Sequence, residues 1–366
     1  MAGLYIHIPF CAKKCTYCNF YSACTEKSVV EKYNQALFKE IEKWGGSLGR
    51  PIETLYIGGG TPSVLGSEIA TLIKRVKNNF SLSEDAEITV EMNPSQDSAE
   101  FLKAAKESGV NRLSIGVQSG NQSELSVLGR THTNEDIKRC VDTARKLGFK
   151  NISLDLMIGL PDSNIEKLEK SLDFITSLNP EHISAYILKI EEKTALYSMK
   201  NLSFCDDDQQ AEQYIYTCKY LERKGYNHYE ISNFAKDGFS SRHNNKYWQC
   251  EEYLGIGASA HSFLDRKRFY YEADIKKFIK NPEIIEDGTG GEFEEKFMLA
   301  LRLKDGINIP YIEENFPIKI NKDFYSFAEI LKMQELILFD GENLSLTDKG
   351  MLLSNTVITE LLERIV

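Results

Sequence analysis

Six short strand-like runs recur between Leu4 and Leu188 with amphipathic helical stretches between them, and this alternation restricts the chain to folds built on a parallel sheet. The runs are Leu4 to Pro9, Glu53 to Gly58, Ala86 to Met92, Arg112 to Val117, Ile152 to Met157 and His182 to Leu188. Stretches such as Val29 to Trp44 and Thr133 to Leu147 are long enough for the right-handed crossover that parallel strands require. A barrel or part-barrel is expected. A doubly wound sheet has the same spacing, but no G-x-G-x-x-G follows the first run, and polar residues stand at the ends of many runs rather than at one crevice.

The chain of 366 residues is 42 % hydrophobic, enough for one large core and a small second one, so two domains are predicted. Residues 1–190 form the expected barrel core. Residues 191–280 are less regular, with aromatic clusters at Tyr226-Asn227-His228-Tyr229-Glu230 and Tyr247-Trp248, and read as an extension packed on the barrel. The turn-rich stretch from Asn281-Pro282 through Asp287-Gly288-Thr289-Gly290-Gly291 reads as a linker. Beyond it, residues 292–366 hold a helical stripe of Phe293, Phe297 and Leu301, a second helix at Tyr325 to Leu336, and an Asp340-Gly341 turn between two short strands. That order suggests a small C-terminal winged-helix-like α+β domain.

Charge excludes one class of partner. With 44 basic against 54 acidic residues the chain carries a net −10, which repels a phosphate backbone, and residues 292–366 carry 8 basic against 14 acidic side chains. Nucleic acid is therefore not an expected partner. Cys24, Cys140, Cys205, Cys218 and Cys250 are scattered without framework spacing, and no signal peptide precedes the first strand, so a reducing, cytoplasmic setting is expected. No run of 18 apolar residues occurs; membrane association, if any, is peripheral or through a partner.

The chemistry begins at Cys11, Cys15 and Cys18, a C-x3-C-x2-C triplet directly after the first strand. Three thiolates can hold a 4Fe-4S cubane by three irons and leave the fourth open to an exchangeable ligand. The alternatives are a redox pair of Cys15 and Cys18, or a structural zinc site with His7 or Cys24 as fourth ligand. Zinc sites usually pair two ligand hooks, and no second C-x-x-C or H-x3-H is present.

Gly58-Gly59-Gly60-Thr61-Pro62 follows the second strand, where a barrel displays its ligand loops; without a Lys-Ser/Thr it is no phosphate loop and can also serve as a tight turn. Later strands end in Glu91, Gln118 and Asp155, and Arg130 supplies a guanidinium. Taken singly, each is equally a capping or surface group. Together they offer acceptors and donors suited to a ribose, a carboxylate and a sulfonium.

These residues resemble the radical S-adenosylmethionine (SAM) superfamily, whose signature is the cysteine spacing Cys11-Ala12-Lys13-Lys14-Cys15-Thr16-Tyr17-Cys18. Within it, Tyr5-Ile6-His7-Ile8-Pro9-Phe10-Cys11 and Gly58 to Pro62 resemble the oxygen-independent coproporphyrinogen III oxidase-like family over essentially the whole chain. The resemblance implies a partial (β/α)6 TIM-like barrel, a 4Fe-4S cluster on Cys11, Cys15 and Cys18, and SAM contacts from Tyr5, Tyr17, Gly59, Gly60, Thr61, Glu91, Gln118, Arg130 and Asp155.

The true oxidases continue the triplet as C-x3-C-x2-C-x-C and carry an extra segment ahead of the first strand. Here the triplet continues Cys18-Asn19-Phe20, and the chain begins almost on its first strand. Both departures resemble the heme chaperone branch of the family, as does the H-N-x-x-Y-W motif of His243-Asn244-Asn245-Lys246-Tyr247-Trp248. The resemblance implies heme binding and transfer to acceptors such as respiratory cytochromes. An imidazole can ligate heme iron and aromatic rings can pack on a porphyrin, which makes His243, Tyr247 and Trp248 candidate heme contacts; a hydrogen-bonded structural histidine is the alternative. The rival function is oxidative decarboxylation of coproporphyrinogen III to protoporphyrinogen IX.

Overall fold

A computed structural model describes residues 1–94 and 98–365. Six strands alternate with helices as expected: β1 Ala2–Ile8, α1 Lys27–Gly45, β2 Ile52–Gly59, α2 Glu68–Asn79, β3 Leu82–Met92, α3 Ser98–Glu107, β4 Arg112–Gln118, α4 Gln122–Val127, α5 Asn134–Lys146, β5 Ile152–Ile158, α6 Ile165–Ser177 and β6 His182–Ile187. Each of these strands pairs in parallel with the next.

The two faces of this sheet differ in chemistry. Leu4, Ile6, Leu55, Ile57, Ile88, Val90, Leu113, Ile115, Leu154 and Ile183 are all buried and belong to one continuous core. The register places the residues between them on the opposite face: Tyr5 beside Tyr56, Tyr56 beside Thr89, Thr89 beside Arg112, Glu91 beside Ser114, Ser114 beside Ser153, and Asp155 beside Ser184. One face is apolar and helix-covered, the other polar. Because side chains alternate along a strand, this polarity is written directly into runs such as Glu87-Ile88-Thr89-Val90-Glu91.

The helices cover the apolar face for a local reason. In α5, Ile137, Cys140, Val141 and Ala144 recur at helical spacing and are buried. Thr133 and Asp136 form a reciprocal capping box at its start, and Gly148, at φ 85°, follows its C-cap Leu147. Losing the Thr133 cap costs ~1 kcal/mol.

Residues beyond β6 supply α7 Asp207–Arg223, β7 Asn227–Glu230, β8 Asn233–Ala235, α8 Arg242–Trp248, β9 Tyr253–Ile256, β10 His261–Leu264, β11 Lys267–Tyr271, α9 Ile275–Lys280 and β12 Ile284–Thr289. They extend the sheet at both edges. β8 and β7 add to β6, while β9 pairs in parallel with β1 and carries β10, β11 and β12 outward, giving a mixed twelve-stranded sheet. The stretch read from sequence as a linker therefore contains the outermost strand, β12, all six residues of which are exposed. Its Asp287 and Gly288 are tolerated because only one side pairs.

The C-terminal part is a small α+β unit: α10 Phe293–Ala300, β13 Ile307–Asn308, α11 Ile309–Asn315, α12 Lys322–Met333, β14 Ile337–Phe339, β15 Asn343–Leu346, α13 Asp348–Leu352 and α14 Ser354–Leu362, with a separate sheet ordered β13-β15-β14. Phe293, Phe297 and Leu301 are buried as their spacing predicts. The helix expected at Tyr325 to Leu336 starts three residues earlier, because Asn321 caps the backbone N–H groups of Asp323 and Phe324; it ends before Glu335, whose φ of 62° breaks it. Leu303 bridges Glu230, and Ile231 N–H donates to Arg302, tying this unit to β7.

Candidate functional site

Cys11, Cys15 and Cys18 lie in the loop between β1 and α1, all three half-buried, whereas Cys24 is exposed. The loop is pinned by its backbone. Cys11 N–H donates to Ala23, Thr61 N–H to Phe10, Thr16 N–H to Leu128, and Leu196 N–H to Thr16. The thiols do not converge on one ion. Sulfurs around one tetrahedral zinc sit ~3.8 Å apart. Among the described residues the set of three metal-ligating atoms within 4.8 Å of one another is Cys218, His228 and Asp348, not the triplet. His7 is spoken for as well, with its Nδ1 at 2.9 Å from the Tyr5 hydroxyl and Nε2 at 3.1 Å from the Tyr21 carbonyl. Three separated thiols suit three separate irons. Burial raises the Cys15 and Cys18 thiols, opposed for Cys15 by Arg130 and for Cys18 by the Phe20 N–H.

The glycine run after β2 makes room for that loop. A Cβ on Gly60 would stand 2.6 Å from the Phe10 carbonyl oxygen, and one on Gly59, at φ 114°, 2.6 Å from the His7 ring. Any other residue would push the cysteine loop away. Thr61 then closes the contact, its hydroxyl donating to Cys11 Sγ at 3.5 Å.

From Thr61 a chain of polar contacts crosses the strand ends. Asn93 Nδ2 donates to Thr61 Oγ1 at 3.1 Å, Arg130 donates to Asn93 Oδ1, and its Nη2 reaches the Tyr17 hydroxyl at 2.6 Å. Gln118, at a left-handed φ of 73°, belongs to the same cluster, since a Cβ on Gly116 would meet Asn93 and Gln118 at 3.0 Å and Arg130 at 3.3 Å. Glu91 accepts from the Tyr56 hydroxyl at 2.8 Å and from Gly59 N–H at 3.0 Å; Asp155 accepts from Ser114 at 3.1 Å. Burial pushes Glu91 up to about 7 and Asp155 up to about 6, and burial raises Tyr17 to about 12. Tyr17, Gly59, Gly60, Thr61, Glu91, Gln118, Arg130 and Asp155 thus stand at the end of the strands that carries the cysteine loop. Tyr5 lies deeper, 6.2 Å from the Tyr56 ring.

His243, Tyr247 and Trp248 fall elsewhere. They belong to α8, which closes the opposite end of the polar face. His243 is 1 % exposed, with Nδ1 at 2.8 Å from Thr54 Oγ1 and Nε2 at 2.8 Å from the Tyr247 hydroxyl. Both ring nitrogens are engaged, so in this arrangement neither is free to reach iron, and burial lowers the ring to about 3. Glu87 caps the start of α8 by accepting from the N–H groups of Arg242 and His243. A cavity of about 200 Å³ opens beside Tyr247, lined also by Tyr253, Phe263 and Arg268, smaller than the ~300–1,000 Å³ of ligand pockets. Burial raises the nearby Glu230 carboxyl to about 7, and the buried indole N–H of Trp248 has no hydrogen-bond partner among the described residues.

The sequence reading passed over Tyr56, Asn93, Arg112 and Ser114. Asn93 holds Thr61 and Arg130 together, and Arg112 is buried on the polar face. The signal was present: every second residue of these strands is polar, which a sheet covered by helices on both faces does not need.

Comparison with known proteins agrees with this geometry. A sequence model of the Radical SAM superfamily matches residues 5–175, and one of the HemN C-terminal domain matches residues 292–353. The chain is 37 % identical to the heme chaperone HemW of Bacillus subtilis over 98 % of each chain. To that of Escherichia coli it is 40 % identical over 71 % of this chain and 69 % of the other. The fold is similar to that of the radical SAM enzyme coproporphyrinogen III oxidase (HemN) from Escherichia coli, with a TM-score of 0.86 at 24 % identity, covering 98 % of this chain and 89 % of that one. A match to the Radical SAM model that includes the cysteine loop, a C-terminal unit of the HemN type and relatives of this identity converge: the chain belongs to the HemW family of radical SAM proteins, kin to the oxygen-independent coproporphyrinogen III oxidases.

Proposed function

We propose that the protein binds heme in the cytoplasm and passes it to heme-requiring proteins such as respiratory cytochromes, using a radical SAM part-barrel as its frame. The observation that carries this reading is the likeness to HemW chaperones along 98 % of the chain. Phe20 supports it: the oxidases have a fourth cysteine there, and this side chain is 72 % exposed. Residues 1–190 serve as the part-barrel, 191–280 as its extension and 292–366 as a winged-helix-like unit.

Cys11, Cys15 and Cys18 would hold a 4Fe-4S cluster, and the polar strand ends would hold SAM. When bound, this pair supplies one-electron chemistry at the sulfonium. The chain's own part is positioning. Thr61 orients Cys11, Asn93 and Tyr17 fix the Arg130 guanidinium, and the glycine run keeps the loop against β2. Glu91 and Asp155 are acceptors for hydroxyl or ammonium groups, and their burial keeps water from competing.

Coproporphyrinogen III oxidation is the second reading, favoured by the gathering of the expected SAM-side residues other than Tyr5 at the end of the sheet that carries the cysteine loop. Anaerobically reconstituted protein offered both coproporphyrinogen III and heme separates the two. A heme absorption spectrum without protoporphyrinogen is the expected result; steady turnover would replace the chaperone reading with the enzyme.

A further inference from the structure

Cys218, His228 and Asp348 lie away from the cysteine loop and from α8. Cys218 projects from α7, His228 from β7, and Asp348 is the first residue of α13. One ligand atom from each lies within 4.8 Å of the other two. We propose that these three residues form a binding site for a single zinc-class divalent ion that joins the sheet edge to the C-terminal unit.

The ligand set of one sulfur, one imidazole nitrogen and one carboxylate oxygen suits zinc, a borderline-soft ion. The three residues come from separate elements, so their convergence is tertiary rather than a consequence of helical spacing. His228 is oriented for the task. Its ring stacks on Phe234 at 4.4 Å, Nε2 faces the Tyr214 hydroxyl at 3.4 Å, and Nδ1 faces Asp348 Oδ1 at 3.1 Å. A metal-bound imidazole is usually steadied by a polar group on its far nitrogen, and Tyr214 occupies that place.

Asp348 accepts both His228 and the Lys304 ammonium on Oδ1, which leaves Oδ2 without a hydrogen-bond partner among the described residues. Lys304 can keep its contact while Oδ2 turns to the ion. Binding then exchanges cations without redox change: the Cys218 thiol proton and any proton on His228 Nδ1 pass to solvent as the sulfur–metal and nitrogen–metal bonds form. The thiolate and carboxylate offset the two positive charges. Cys218 is 2 % exposed, which shields the sulfur, while the Asp348 side chain is 31 % exposed and leaves a fourth position open to water.

The test uses the full chain carrying its reconstituted cluster, equilibrated with Zn²⁺ and freed of excess metal. One zinc per chain should remain, with a single sulfur in its shell by zinc-edge X-ray absorption. Cys218→Ser should remove that sulfur and lower retention at least ~10-fold, and Asp348→Asn should weaken binding ~10-fold or more. Iron content reports on folding in every variant and does not depend on the zinc. A parent protein that keeps no zinc, or a zinc–sulfur signal that survives Cys218→Ser in protein with normal iron, would overturn the assignment.

Discussion

The two ends of the polar sheet face are built from the same alternation of side chains and differ in how their ionisable groups are held. At the α8 end, His243 uses both ring nitrogens, Glu87 caps two backbone N–H groups, and Lys246, 5 % exposed, bonds Glu53 and Glu251. His182 continues the pattern, bonded to Ser153 and Tyr229. At the cysteine end the thiols are half-buried, Gln118 stands in a left-handed conformation, and Glu91 and Asp155 sit with raised carboxyls. Polarity alone does not distinguish a ligand site from a plug. The way the ionisable groups are held does.

The most severe way to test this contrast is to remove a thiol. Cys15→Ser should abolish the cluster, read as iron and sulfide per chain, because two thiolates hold a cubane poorly; Cys24→Ser should leave both at parental values. A Cys15→Ser protein with full iron would mean that the ligands lie elsewhere. Next in size, the Gln118→Ala, Asp155→Ala double variant should keep its iron yet bind SAM at least ~100-fold more weakly, the cost of two contacts of ~1.5 kcal/mol each. Tight SAM binding by this variant, measured by calorimetry, would remove both residues from the site.

At the opposite end the expected effect is on stability. His243→Ala should cost ~2–3 kcal/mol through its cavity and two lost hydrogen bonds, with an unchanged Soret band in the heme-loaded protein. An altered band would show that α8 opens to let His243 meet iron. The ring also sets a pH signature. With its folded value lowered to about 3 against ~6.5 for a free imidazole, it contributes stability that is present above pH ~6.5 and declines as pH falls toward 3. His243→Gln should flatten that acid limb in denaturant titrations. The smallest effect belongs to Phe20→Ser, which at 72 % exposure should shift stability by less than ~0.5 kcal/mol and leave iron content alone.

Much of this was legible in the sequence. All six parallel strands and the C-terminal hairpin fall where period and turn chemistry put them, because local alternation and the Asp340-Gly341 turn dictate both. The place of the cysteine triplet after β1, and of Glu91, Gln118 and Asp155 on the polar face, was legible too, since side chains alternate along a strand. What sequence did not reveal is tertiary. Asn93 matters because it reaches Thr61 and Arg130 at once, and no spacing encodes that. The motif from His243 to Trp248 is visible in the sequence, but the His243 ring's partner Thr54 is 189 positions away, so its burial could not be read locally. The segment at 284–289 looked like a linker because an edge strand that pairs on one side tolerates linker composition.

The middle segment also has a consequence for how the chain is made. β1 and β6 are the outer members of the six parallel strands, and their free edges are covered only by β9 and β8, which leave the ribosome after all six are synthesised. Until roughly residue 235 has emerged, the nascent chain presents two unpaired strand edges at once, and the β1 edge stays open until about residue 256, the kind of surface that recruits other strands. A chain stopped near residue 190 holds every expected cluster and SAM residue and still lacks both guards, so its expected fate is aggregation rather than a working minimal domain.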